Sequence, residues 1–307
     1  MATAGGYDAA PVLIQVNPIP SEELGMNLSF VTEVLHGAVP TPSELEWQEG
    51  DAWLAGGTWL FSEPQDDLRR LIDLHAYGWP SIEELDAGPT IGATCTIAEL
   101  YGYAAQQSAS GWELVRECCS SFLSSFKVWN AATVGGNICM SLPAGPMISM
   151  ASALEATYTL LDLAGNARTV SALDFTTGSH QNILQPGELL RTIHLPAAAM
   201  TKRWAFRRMS LTHLGRSSSL LIGTLDPDSG TFLLTVTAAT PRPRQLRFDA
   251  LPDWPALRQR LLSEIADSDY FDDVHGTPAY RKYMTHYFAN GILNELAGNL
   301  PEHPSMG

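Results

Sequence analysis

Cysteine is scarce in this sequence: Cys95, Cys118, Cys119 and Cys139 are the only four in 307 residues. None forms a C-x-x-C pair and none stands at ligand spacing from a histidine, so a zinc site or an iron–sulfur cluster held by this chain alone is not expected. Adjacent Cys118 and Cys119 are poorly placed to chelate one metal, and the apolar surroundings of all four suit buried, reduced thiols. Positive charge is short as well: 18 Lys and Arg against 33 Asp and Glu give a formal net charge of −15. Nucleic acid and anionic membrane both require a basic footprint, so neither is an expected partner. No apolar run approaches the roughly 18 residues that span a bilayer. Met1 to Ala10 lack the basic and apolar regions of a signal peptide, and the expected location is cytoplasmic. There is no internal repeat, no low-complexity tract and no G-x-G-x-x-G dinucleotide fingerprint.

What is present is ordinary for a folded protein: 45% hydrophobic and 17% charged residues, over a length that allows two domains. Residues 1–25 hold Gly5-Gly6, Pro11, Pro18 and Pro20, and read as an extended lead-in that the fold does not need. Three short strands are expected: Trp53-Leu54-Ala55, Leu71 to Leu74, and Thr90 to Ala93. Thr96 is placed to cap a helix through Tyr101, and Glu113 to Phe126 carries apolar residues at helical spacing. Thr157 to Leu163, a turn at Gly165-Asn166 and a return over Ala167 to Val170 form a hairpin pattern. A composition change near Pro196 marks a domain boundary at about residue 198. Beyond it come strands at Ser219 to Thr224 and Phe232 to Ala238, then helical periodicity at Leu257 to Ile265 and Tyr280 to Leu296.

Two segments carry chemistry. In Leu54-Ala55-Gly56-Gly57-Thr58-Trp59-Leu60, two glycines after a strand permit positive φ and bring backbone N–H groups close to a ligand. Successive N–H groups facing one concavity make an anion nest suited to phosphate. In Asn130 to Ile138, Gly135-Gly136 stand between Thr133 and Asn137, which can donate side-chain hydrogen bonds. Two such loops could grip one long diphosphate ligand; by spacing alone they could equally be unrelated turns. A valine at Gly136 is expected to fill ligand space and to disfavour positive φ.

The second segment resembles the R-N-x-A-T-I-G-G-N segment of the FAD subunit in the xanthine dehydrogenase and carbon monoxide dehydrogenase family. The first resembles that family's A-G-G-x-S-L loop, and Ile91 to Thr96 is similar to its I-G-A-x-x-T strand. Further matches follow in the same order: Asp174-Phe175, Pro186 to Leu190 through Leu195-Pro196, Ala205 to Arg208, Thr240 to Pro243, and His275 to Arg281. The resemblance runs from about residue 26 to 297.

The resemblance implies an α+β protein: a two-subdomain FAD-binding fold of the vanillyl-alcohol-oxidase/PCMH type over 26-198, then a small α+β C-terminal domain over 199-307. It implies non-covalent FAD on this chain, with molybdopterin on a large partner subunit and [2Fe–2S] clusters on a small one, assembled as a dimer of heterotrimers. Electrons would reach FAD from the clusters and leave to an external acceptor, so the chain would hold no metal and no catalytic acid or base. Ala55, Gly56, Gly57, Thr58, Trp59 and Leu60 would wrap the diphosphate, with Thr133, Gly135, Gly136 and Asn137 on its other side. Leu123 and Leu190 would pack on the cofactor, and Arg207 takes the place of a family lysine near it. Departures stand at Trp59 (Ser or Glu in relatives), Trp129 (the arginine of the R-N pair), Pro146-Met147 (an aspartate that holds the ribityl chain) and Leu211 to Arg216, where His213 could face the flavin. Two rivals remain. A stand-alone flavin oxidase would need a substrate pocket, and often a His or Cys tether. A flavin-free scaffold protein would purify colourless.

Overall fold

The computed structural model describes residues 12–15, 30–37, 41–212 and 215–298. Its first sheet has strands β1 (Val12–Gln15), β2 (Glu33–His36), β3 (Asp51–Leu54) and β4 (Arg70–Asp73) in the order β1-β2-β4-β3. β4 is parallel to both β2 and β3, and its Leu71 and Ile72 are buried. β3 begins two residues before the expected Trp53 because Asp51 anchors it. The Arg70 guanidinium clasps that carboxylate in a fork, Nε to Oδ1 at 2.9 Å and Nη2 to Oδ2 at 2.6 Å. β1 lies inside the segment read as a lead-in, which therefore contributes an edge strand paired antiparallel to β2.

The middle of the chain builds a five-stranded antiparallel sheet and the helices packed on it. β5 (Ile82–Glu83) and β6 (Thr90–Gly92) come first, then α1 (Ile97–Ala104), α2 (Ser110–Ser120), α3 (Phe126–Trp129), α4 (Val134–Cys139) and α5 (Pro146–Ala153). β7 (Thr157–Leu161), β8 (Ala167–Ser171), the short α6 (Ala172–Phe175), a small hairpin of β9 (Thr176–Gly178) and β10 (Gln181–Asn182), and β11 (Leu189–His194) complete it in the order β5-β6-β11-β7-β8. Thr96 caps α1 in a reciprocal box: its hydroxyl accepts from the Glu99 N–H, and the Glu99 carboxylate accepts from the Thr96 N–H at 2.8 Å. The β7–β8 hairpin turns at Gly165, φ +82°, as its Gly-Asn pair led one to expect.

One helix is shorter than its periodicity. The segment Glu113 to Phe126 does not run through: α2 ends at Ser120, and Ser125 starts α3 by accepting from the Val128 N–H. Serines break it, because short hydroxyl side chains compete for backbone groups. Ser120 donates to the Arg116 carbonyl at 2.9 Å and Ser121 to that of Glu117 at 3.0 Å.

The last part is a four-stranded antiparallel sheet, β12 (Arg203–Ser210), β13 (Ser217–Leu225), β14 (Phe232–Thr237) and β15 (Arg244–Phe248), backed by α7 (Trp254–Glu264) and α8 (Pro278–Leu296). Both faces of this sheet are covered. Alternate residues Phe206, Leu220 and Ile222 join the core that includes α2 and α5; Ala205, Leu221, Leu234 and Val236 join the core under α8. The composition change near Pro196 falls between β11 and β12, yet one hydrophobic core runs across it. Among the described residues no helix is long and apolar enough to cross a membrane.

Candidate functional site

β3 delivers the first glycine loop to the bottom of a cavity of about 670 Å³, a size suited to a cofactor. The wall is built from the loop Ala55 to Leu60, the break at Ser121 to Ser124, α4, the turn into α5, and the chain entering β13 at Gly215 to Ser217. Each glycine of the two motifs has its own reason. A Cβ on Gly56 would stand 1.7 Å from the Ala131 carbonyl oxygen, so the two loops touch backbone to backbone there. Gly57 holds φ +67°, the left-handed region that other residues avoid. A Cβ on Gly135 would stand 2.5 Å from the Cβ of Ala93, behind the cavity wall. Gly136 faces the cavity, and its Cβ would meet only the Thr133 hydroxyl, at 2.8 Å. Its backbone is helical, not left-handed, so a side chain there is opposed by space and not by φ.

The polar equipment is one-sided. Among the described residues, the N–H groups of Gly56, Gly57, Thr58, Trp59 and Leu60 donate to no protein acceptor. The start of α4 is different. The Val134 N–H donates to the Cys95 carbonyl at 2.8 Å, that of Gly135 to Ala93 at 2.9 Å, and that of Gly136 to the Thr133 hydroxyl at 3.0 Å. The second motif therefore offers side chains, not backbone N–H groups. Thr133 accepts from Gly136 and keeps its own proton to donate; Asn137 accepts from the Met147 N–H at 3.1 Å through Oδ1, which leaves its amide group to donate. Among the described residues no carboxylate lines the cavity, although acids outnumber bases 33 to 18 in the chain, and Arg216 is the one charged side chain of those residues on its wall.

Of the residues singled out in the sequence, Ala55 to Leu60, Leu123, Thr133, Gly136 and Asn137 line this cavity. Gly135, Leu190 and Arg207 do not. Leu190 is a buried core residue on β11. Arg207 lies on the α8 side of the last sheet, its Nη2 2.5 Å from Glu295 Oε2. His213 lies outside the described residues. Pro146, one of the two positions where the resemblance led one to expect an aspartate, starts α5 on the cavity wall. Arg216, the end of the departing stretch Leu211 to Arg216, also lines the wall, as does Cys139, which was not anticipated. Burial pushes the Cys139 thiol up to about 12, so it stays neutral and unreactive. Among the described residues no group of three or more His, Cys, Asp or Glu could hold a metal ion.

A donor-lined cavity between two glycine loops, with no carboxylate among the described residues, fits a large polyanion. Residues 44–198 match the family model for the FAD binding domain in molybdopterin dehydrogenase. The chain belongs to that family. This FAD-binding chain is 30% identical over 146 residues to the caffeine dehydrogenase subunit beta of Pseudomonas sp. (strain CBB1), covering 46% of itself and 48% of that protein. It is 29% identical over 160 residues to the carbon monoxide dehydrogenase medium chain of Afipia carboxidovorans, covering 51% of itself and 54% of that chain. Over the matched regions the chain thus spans about half the length of these two curated relatives. Its mixed helix-and-sheet fold superposes on a chain of the reconstituted CO dehydrogenase from Oligotropha carboxidovorans with a TM-score of 0.70, over 82% of this chain and 91% of that one, at 23% identity.

Proposed function

We propose that this chain is the electron-transfer subunit of a molybdenum hydroxylase, working between the [2Fe–2S] clusters of a small subunit and an external acceptor. Molybdopterin and the substrate chemistry belong to a large subunit, and two such heterotrimers pair in the cytoplasm. The observation that carries the reading is the cavity itself, which among the described residues has five free N–H groups, two side-chain donors and no carboxylate, inside an FAD-binding family. The proposed organisation is the two-subdomain PCMH type over 26-198, one subdomain holding each glycine loop, then 199-307 as a C-terminal domain.

The residues present fit FAD. Gly56 to Leu60 would hold its diphosphate through backbone N–H groups, with the Thr133 hydroxyl and the Asn137 amide as further donors. Leu123 and Val128 give an apolar wall that excludes water. When bound, FAD supplies a centre that accepts electrons singly and releases them in pairs. Among the described residues no carboxylate or histidine lines the wall to compete for a proton, which suits a relay better than substrate chemistry.

FAD is expected to be non-covalent, since among the described residues no histidine lines the wall and the Cys139 thiol there is neutral. Acid precipitation of the yellow protein should leave flavin in the supernatant; flavin in the pellet would show a tether. The subunit role is tested by a tagged pull-down from the native host with metal analysis and size measurement. Molybdenum, iron and two companion chains should come down together. A lone monomer that oxidises an organic substrate without either metal would replace this reading with a stand-alone oxidase.

A further inference from the structure

Several arginines of this acidic chain are matched to carboxylates: Arg70 to Asp51, Arg168 to Glu188, Arg207 to Glu295 and Arg281 to Asp273. Arg216, an exposed residue on the cavity wall, is not. Among the described residues no carboxylate or carbonyl accepts from it, and it lies at the cavity wall with its Cζ 5.4 Å from the centre of the Trp59 ring. Trp59 belongs to the loop whose N–H groups are free, and its ring also packs on His180 at 5.6 Å. The segment that presents Arg216 is strapped down. Arg208 donates from Nε to the Ser217 hydroxyl at 2.7 Å and from Nη2 to the Gly215 carbonyl at 2.6 Å. Among the described residues, a cation with no acidic partner and a run of unpaired N–H groups therefore meet at one tryptophan.

Neutral N–H groups can orient a diphosphate but do not balance its charge. A guanidinium does both, because its planar fork matches phosphate oxygens. Stacking on Trp59 holds the fork in place at little entropic cost. We propose that Arg216 is the counter-ion of the cofactor's diphosphate, whereas the family resemblance had placed a cation near the cofactor at Arg207. The proposal rests on the FAD reading above and adds the residue that selects for phosphate.

The test titrates the full chain, freed of flavin, with FAD and with riboflavin, which has no phosphate. Binding is followed by calorimetry and flavin fluorescence. Arg216→Ala is expected to weaken FAD about tenfold and to leave riboflavin unchanged. It should also flatten the fall of FAD affinity with added salt, since one screened charge pair is gone. Arg216→Lys keeps the charge but loses the fork and the stack, and should fall between. Arg242→Ala, exposed and outside the cavity lining, should change neither ligand. A parent chain that takes up no FAD overturns the cofactor reading and this assignment with it. A parent that binds FAD while Arg216→Ala binds it equally, or loses riboflavin in the same measure, overturns the assignment to Arg216 alone.

Discussion

Gly136→Val is expected to yield a folded chain that no longer takes up FAD. The glycine is on the helical wall of the cavity, and the space beside it is open except for the Thr133 hydroxyl. Valine is a better helix former than glycine, so the backbone of α4 loses nothing by the change. Two things are lost instead. The branched side chain enters the volume that the cofactor needs, and its Cβ, 2.8 Å from Thr133 Oγ1, turns the capping hydroxyl away. Loss of that cap costs about 1 kcal/mol, too little to unfold the chain. Gly56→Ala is the contrast. Its Cβ would meet a backbone oxygen at 1.7 Å, which no rotamer can relieve. The two loops must move apart, at roughly 3 kcal/mol or more, so stability and FAD binding should fall together. Circular dichroism and flavin titration of both variants separate these effects. If Gly136→Val binds FAD as the parent does, this wall is not the cofactor site.

The parts of the site that the sequence made legible are those with local causes. A strand before Gly56-Gly57, a threonine before α1 and a Gly-Asn turn each carry their own stereochemistry. The rest depends on distant partners. All eight residues of α5 are buried, so it has no polar face and no period to read. β13 and β14 are buried on both sides, which erases strand alternation in the same way. The break in α2 was hidden because Phe122, Leu123 and Phe126 keep helical spacing across it. Yet that break takes Leu123 off the helix and onto the cavity wall.

Arg207 and Arg208 show how a single residue step decides a site. They are neighbours on β12, so their side chains leave opposite faces of the sheet. Arg207 shares its face with Ala205 and meets Glu295 of α8; Arg208 shares the other with Phe206 and reaches Gly215 and Ser217. Motif matching placed the cation at Arg207, and the sheet turns that side chain away from the cavity. The stretch Leu211 to Arg216 was legible only as a departure, and nothing in it pointed to Trp59, which is more than 150 residues earlier in the chain.

Arg281→Met should destabilise the protein more than any surface change, without touching the cavity. The last motif of the sequence, His275 to Arg281, turns out to be a helix start with a buried cation. Thr277 caps α8 by accepting from the Tyr280 N–H, Pro278 opens its first turn, and Arg281 points inward with 1% of its side chain exposed. Its guanidinium donates to the Gly276 carbonyl at 3.0 Å, to that of Ser218 at 2.7 Å, to that of Ala238, and to the Asp273 carboxylate. These acceptors sit on the turn before α8, on β13 and just beyond β14, so one side chain ties the helix to the sheet. Methionine matches the length and the apolar stem but leaves three carbonyls and a carboxylate without their donor. Removing one member of such a buried network costs about 3–5 kcal/mol. Arg281→Lys keeps the charge but cannot fork to several acceptors, and should recover only part of the loss. Thermal unfolding of the flavin-free chain is the measurement, and a fall in Tm of roughly 5–15 °C is expected for the methionine variant. An unchanged Tm would mean that α8 is held to the sheet by its apolar face alone.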